Sequence, residues 1–270
     1  MSEPLTARNT RVKEARKLSR RPVRAERRLF LADGPNAVEG ALSTALDSGV
    51  SCVVEVFATP AADETYAELV DAAGRARVPW TLVDDRAMRS LSDSVTPAGV
   101  VAVCRFVDRT VVELVETHPS LLVICAAVRD PGNAGAVIRT ADAVAADGVL
   151  LAGHSVDPYN PKTVRASAGS LFHLPHAVAP DTATAVEIVR DAGLVVLAAD
   201  GAGEVDLFEA VELLRGPVAW LLGNEAWGLP PETAALADHR VRIPIPGRAE
   251  SLNLATAAAV CLYATARARH

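Results

Sequence analysis

The sequence predicts an α/β protein: a small N-terminal α/β domain followed by a larger C-terminal domain on a mostly parallel sheet. Three observations predict it. Half of the 270 residues are hydrophobic yet only 4% are aromatic, so the core must be built from Ala, Val, Leu and Ile. From Ser120 onward, short runs that are apolar on both faces alternate with helical patterns, as strands covered by helices do. Before residue 107 the alternation is looser and opens on a basic amphipathic stretch.

The elements follow in order. Thr6–Leu18 reads as a helix, with Val12, Ala15 and Leu18 at helical spacing. Leu29–Ala32 reads as a strand, and Gly34-Pro35 starts a helix through Leu46 that Ser48-Gly49 ends. A strand over Cys52–Phe57, a helix over Ala61–Ala73 and strands over Trp80–Val83 and Val100–Phe106 complete a small β-α-β pattern. Asp108–Pro119 is charged and lacks strand character, which predicts domains at 1–106 and 120–270 joined by a linker at 107–119. In the second domain strands are expected at Leu121–Ala126, Gly148–Leu151, Leu194–Ala198, Val218–Leu222 and Val241–Ile243. Helices are expected at Ala134–Ala145, Pro161–Ala168, Thr182–Ala192 and Pro231–Ala237, with a closing helix from Leu252.

Composition excludes several classes. No apolar run approaches the ~20 residues of a membrane span, and the basic N-terminus lacks the apolar stretch of a secretory signal. Cys52, Cys104, Cys125 and Cys261 are scattered without CxxC spacing, which predicts buried thiols in a reducing cytoplasm rather than disulfides or a zinc ribbon. The six histidines show no HExxH or Cys/His ligand spacing, so no metal is expected. The net charge of −6 conceals an asymmetry: residues 1–28 carry ten Arg and Lys against three Glu, on an otherwise acidic chain. A basic arm on an acidic body is a nucleic-acid footprint, because arginines replace phosphate counterions. Arg8, Arg11, Lys13 and Arg16 are the candidate contacts, and deletion of the arm is expected to flatten the salt dependence of RNA binding.

In open parallel sheets, ligands bind beyond the carboxyl ends of strands. Three loops lie there. The first, Arg129-Asp130-Pro131-Gly132-Asn133-Ala134-Gly135, opens a helix carrying Arg139, and Asn133 is a suitable cap. The second, Gly223-Asn224-Glu225-Ala226-Trp227-Gly228, brackets polar residues with glycines and matches neither GxGxxG nor GxxxxGK[ST]. The third runs from Ile243-Pro244 to Glu250-Ser251-Leu252-Asn253, with Ser251 a natural cap for the Ala-rich helix behind it.

Together these loops resemble the SpoU (TrmH-type) RNA ribose 2′-O-methyltransferases of the SPOUT superfamily. The matching segments are Asp130–Gly135 with Arg139-Thr140-Ala141, Gly223-Asn224-Glu225 with Gly228-Leu229, and Ile243-Pro244 with Glu250–Asn253. A fourth, Asp157-Pro158-Tyr159-Asn160-Pro161-Lys162 with Arg165-Ala166-Ser167-Ala168-Gly169, also fits. The N-terminal part, to about residue 105, resembles the RNA substrate-binding domain attached to many members, a fold related to kink-turn-binding ribosomal proteins. Trp227 departs from the pattern, since a charged residue is common there. So do Ala255 and Thr256, at positions where the family usually has serine and an apolar residue.

The resemblance implies a deep trefoil knot, a homodimer, and a site for S-adenosylmethionine held by Gly223, Ile243 and Leu252. It assigns proton handling to Arg139, as base or as electrostatic organiser; arginine is almost never deprotonated. Asn133, Glu225, Ser251 and Asn253 would orient Arg139 and the ribose, and Arg165 would meet phosphates. The implied substrate is ribosomal RNA in preference to transfer RNA. A non-catalytic ribosome-assembly scaffold and a base methyltransferase are the rivals that the intact motifs disfavour. A bulky residue at Gly223 is expected to block the cofactor with the fold intact.

Overall fold

The structure, a computed structural model, describes residues 3–48 and 51–270. Gly49, expected to help end a helix, lies outside the described residues. In chain order the elements are α1 (Thr10–Arg16), α2 (Arg21–Arg27), β1 (Leu29–Asp33), α3 (Pro35–Ser48), β2 (Val53–Ala58), α4 (Pro60–Thr65), α5 (Ala67–Arg75), β3 (Trp80–Leu82), α6 (Asp85–Leu91) and β4 (Val100–Arg105). Then come α7 (Val111–Val115), β5 (Leu121–Ala126), α8 (Pro131–Ala143), β6 (Gly148–Ala152), α9 (Pro161–Ala166), α10 (Ser170–His173), β7 (His176–Ala179), α11 (Thr182–Asp191) and β8 (Val195–Ala199). The chain closes with β9 (Val205–Asp206), α12 (Val211–Arg215), β10 (Val218–Leu222), α13 (Pro231–Ala234), β11 (His239–Arg242) and α14 (Leu254–Arg269).

Two compact units result, and they do not follow chain order: Asp157–His173 packs with residues up to Val107, and the rest forms the second unit. The first unit holds a four-stranded sheet, β1-β4-β2-β3, with β4 antiparallel to both neighbours. Val12, Ala15 and Leu18 are buried against Leu31, Phe57, Val83 and Met88, so the basic arm is part of this core. That overturns deletion of residues 1–28 as a clean test of RNA binding, because the deletion would open the core. Arg24 is buried in α2 and pairs with Asp157 at 2.7 Å, while its Nη1 donates to the Leu18 and Ser19 carbonyls. Tyr159 stacks on Phe106 with centroids 3.8 Å apart, and its hydroxyl accepts from Val107 N–H at 2.8 Å. Gly40 and Gly169 meet backbone to backbone; a Cβ on Gly40 would lie 2.8 Å from the Gly169 oxygen.

The second unit holds a seven-stranded sheet, β7-β6-β5-β10-β8-β11-β9, in which every pairing is parallel. Leu122, Ile124, Leu150, Val196 and Leu221 pack beneath α7 and α11, which explains why the strands read as continuous apolar runs. On the other face Trp220 is fully buried, and its indole N–H donates to Thr265 of α14 at 2.9 Å. Residues 108–119, read from sequence as a linker, include α7, which Thr110 and Glu113 start with reciprocal capping bonds. His176 on edge strand β7 is buried, and burial pushes its imidazole down to about 4.

Candidate active site

The site grows from the carboxyl ends of β5, β8, β10 and β11. After β5 the chain turns through Ala127, which takes a left-handed φ of 54°, and enters α8. The cap is Asp130, not Asn133: the Asp130 carboxylate accepts from the Asn133 N–H at 2.8 Å. Pro131 in the first turn was the signal for that start, since proline suits the first helical position.

The loop after β10 is closed on itself. Asn224 and Gly228 exchange backbone hydrogen bonds at 2.8 and 2.9 Å, and Gly228 has the left-handed φ of 69° that suits glycine. Buried Asn224 donates from its side chain to the Ala127 carbonyl at 2.8 Å. Glu225 accepts from the backbone N–H groups of Arg129 and Asp130 at 3.2 and 3.0 Å. Asn224 and Glu225 thus bind this loop to the loop after β5. Burial pushes the Cys125 thiol up to about 12, and the nearby Glu225 carboxylate adds to the effect.

Gly223 is constrained by its own loop. A Cβ there would lie 2.3 Å from the Gly228 carbonyl carbon and 2.5 Å from the Leu229 nitrogen. The expectation that a bulky residue at Gly223 would leave the fold intact is therefore corrected: it would push the loop open.

The third loop ends at Asn253, which caps α14 by accepting from Ala255 and Thr256 N–H at 2.9 and 3.3 Å. Ser251, the expected cap, is exposed instead and lines the cavity. The Asn253 side-chain amide also donates to the Asn133 side-chain oxygen at 3.1 Å, joining the starts of α8 and α14, two helices that pack together.

These loops enclose a cavity of about 350 Å³. Gly223, Glu225, Ile243, Ser251 and Leu252, all singled out from sequence, lie on its wall. Asn133 and Asn253 stand outside that wall, linked to each other. Arg139 is exposed on α8, six residues beyond Asn133, and its side chain makes no hydrogen bond or ion pair among the described residues. Sequence reasoning missed Asp200 and Gly201, which line the cavity from the end of β8. The rule that selected the other three loops also covers this fourth strand end.

The remaining candidates lie in the first unit. Arg8, Lys13 and Arg16 are exposed on and before α1, whereas Arg11 pairs with Glu55 and donates to Thr81. Arg165, expected to meet phosphates, is committed to carboxylates: it pairs with Asp33 at 3.1 Å and with Asp93.

With this geometry in hand, residues 120–263 match the SpoU rRNA Methylase family, and residues 9–102 match the MRM3-like substrate binding domain. The chain belongs to the SpoU rRNA methylase family. A Bacillus subtilis 23S rRNA (guanosine(2553)-2′-O)-methyltransferase, RlmP, is 30% identical over 97% of this chain and 98% of its own. The Streptomyces viridochromogenes 23S rRNA (uridine(2479)-2′-O)-methyltransferase is 43% identical over 52% of this chain, a match spanning 50% of that protein. An AdoMet-bound rRNA methyltransferase from Sinorhizobium meliloti superposes with a TM-score of 0.83 at 33% identity, covering 98% of this chain and 97% of that one. Among the described residues no helix is long and apolar enough to cross a membrane, and no cluster of His, Cys, Asp or Glu is arranged to hold a metal.

Proposed function

We propose that this SpoU-family chain uses S-adenosylmethionine to methylate a ribose 2′-hydroxyl in ribosomal RNA. The observation that carries this reading is the cavity built by family-motif loops over parallel strand ends. Its residues fit the cofactor. Leu222, Ile243 and Leu252 offer apolar surface to an adenosine, and Asp200, Glu225 and Glu250 place acidic groups around a ligand that carries two positive charges. Gly223, Ile243 and Leu252 would hold it; when bound, it supplies an electrophilic methyl group.

This chain's own groups then have separable tasks. Arg139 orients the ribose and its phosphate as a fixed cation, since a guanidinium keeps its proton in proteins. Ser251 offers its hydroxyl at the cavity wall. Glu225, Asn133 and Asn253 brace the loops that position these groups. Orientation of this kind accounts for most of what such a transfer needs. Arg8, Lys13 and Arg16 meet phosphates, which position RNA without reading sequence, and Arg165 organises the first unit instead. The 23S rRNA names of the relatives and the match to a substrate-binding domain favour ribosomal over transfer RNA. That substrate also points to the cytoplasm.

A trefoil knot and a homodimer belong to the same proposal. The knot is supported by β10 lying between β5 and β8, and by α14 returning to pack on both α8 and α12. The homodimer is supported by Phe208 and Tyr263, exposed by 61% and 57% beside and on these helices.

The test is transfer of radiolabelled methyl to ribosomal RNA under single-turnover conditions, which isolates chemistry from product release. Wild-type protein is expected to label ribose 2′-oxygen, and Arg139→Ala to lose transfer while binding cofactor normally. Full transfer by Arg139→Ala refutes the assigned mechanism. No labelling of any RNA by the wild type supports a scaffold protein instead.

A further inference from the structure

Trp227 lines the cavity, and Arg129 stands beside it on the other of the two braced loops. The indole is 54% exposed, and the Arg129 guanidinium lies 5.3 Å from its ring centroid. The fold does not use this ring as it uses its other tryptophans. Trp220 is fully buried against α14, and Trp80 donates its indole N–H to Asp63 at 2.9 Å. Trp227 makes no hydrogen bond among the described residues, and the core beneath the sheet is filled by aliphatic side chains. A large aromatic left in water, beside a cation and on a rigid support, is suited to stacking.

The support is unusually well defined. Glu225 holds the Arg129 and Asp130 N–H groups, and the Asn224–Gly228 pair closes the loop that carries Trp227. Asp130 in turn caps the helix bearing Arg139. The ring and the Arg129 cation therefore share one braced pair of loops, and Asp130 of that pair starts the helix along which Arg139 lies. Unpaired bases are commonly gripped by stacking on aromatic rings and guanidinium planes, because every base has a π-face. Arginine adds attraction for the ring and for the phosphate next to the base.

We propose that Trp227, backed by Arg129, stacks an unpaired base of the RNA substrate at the cavity mouth and so positions the ribose to be methylated. This rests on the RNA methyltransferase reading above, and it adds a base-gripping residue to it. The other candidates for this ring are the adenine of the cofactor, since Trp227 also lines the cavity, and a second copy of the chain.

The experiment compares wild type, Trp227→Ala and Trp227→Phe. The emission of Trp227, taken as the difference between wild type and Trp227→Phe, is followed while a short single-stranded RNA is added without cofactor. We expect a solvent-exposed emission that the RNA quenches. In methyl transfer, Trp227→Ala should raise KM for ribosomal RNA about ten-fold to a hundred-fold, the range of one lost base stack. Trp227→Phe should restore most of that, and S-adenosylmethionine affinity by calorimetry should stay the same in all three. An unchanged RNA KM in Trp227→Ala overturns the proposal. So does a loss confined to cofactor affinity, which gives the ring to the adenine, or an emission already shielded without RNA, which gives it to a second copy. If wild type methylates no RNA, the functional reading fails; RNA quenching of Trp227 still reports the stacking platform separately.

Discussion

Gly223→Ala is the most direct probe of how the site is built. The added Cβ would sit 2.3 Å from the Gly228 carbonyl carbon, 2.4 Å from its oxygen and 2.5 Å from the Leu229 nitrogen. Atoms of that kind do not approach within 3.0 Å, and all three belong to backbone, so no rotamer change relieves the contact. The loop must move by more than half an ångström. Its closure rests on the two Asn224–Gly228 hydrogen bonds, each worth about 1 kcal/mol net. If both open, the protein loses about 2 kcal/mol.

Because the same loop forms one wall of the cavity, cofactor affinity should fall as well, by about ten-fold for each 1.4 kcal/mol of deformation. Gly201→Ala is the control: Gly201 also lines the cavity, but a Cβ there meets nothing within 4 Å. Urea denaturation and calorimetry with S-adenosylmethionine measure the two effects. Gly223→Ala with unchanged midpoint and unchanged affinity would refute the argument, and so would an equal stability loss in Gly201→Ala.

Three further outcomes are expected. Arg139→Lys separates charge from shape: recovery of most transfer means that charge suffices, and a variant as inactive as Arg139→Ala means that the planar fork is required. Replacing Arg8, Lys13 and Arg16 together with Gln leaves the α1 core intact and should reduce the salt slope of single-stranded RNA binding by about 2, at roughly 0.7 per phosphate contact; an unchanged slope in filter binding excludes them as contacts. For His176, the folded pKa of about 4 lies below the unfolded value of 6.5. The folded state therefore resists a proton that the unfolded chain accepts. Stability is full above pH 6.5 and falls by about 3 kcal/mol as pH drops toward 4. Urea titrations should show this slope flattened in His176→Leu, and an identical slope in both proteins refutes the assignment.

Legibility in the sequence tracked burial. β5 and β10 were read with their observed bounds because both faces of each are covered, leaving an uninterrupted apolar run. Edge strands β7 and β9 were missed: the half-buried pair Val205–Asp206 resembles loop, and β7 is only four residues long and opens on a histidine. Helix α2 was hidden for a different reason: its buried residue is an arginine, and the partner that makes this tolerable, Asp157, is 133 positions away. Within the segment 157–173 the helix from Pro161 was legible, but its packing with the first unit was not, because those contacts are with residues distant in sequence. In the candidate site, the motifs pointed to loops that line the cavity but not to the division of labour within them. Asp130 and Asn133, or Ser251 and Asn253, are equally good caps by residue type, and only backbone geometry chooses between them.

That division of labour has a common cause. Several polar residues in the candidate motifs are occupied by backbone: Asp130 and Asn253 by helix starts, Asn224 by the Ala127 carbonyl, and Glu225 by two N–H groups. A backbone-lined cavity needs such ties, because loops that turn sharply at strand ends expose N–H and C=O groups that must find partners. Residues spent in this way cannot also reach far toward a substrate. Those with free edges, Arg139, Ser251 and Trp227, sit at the margins of the braced framework, where a large and variable RNA must approach. Two of the relatives modify different nucleosides, guanosine and uridine, as expected if the bracing residues serve a shared reaction and the choice of nucleotide rests with side chains at the rim.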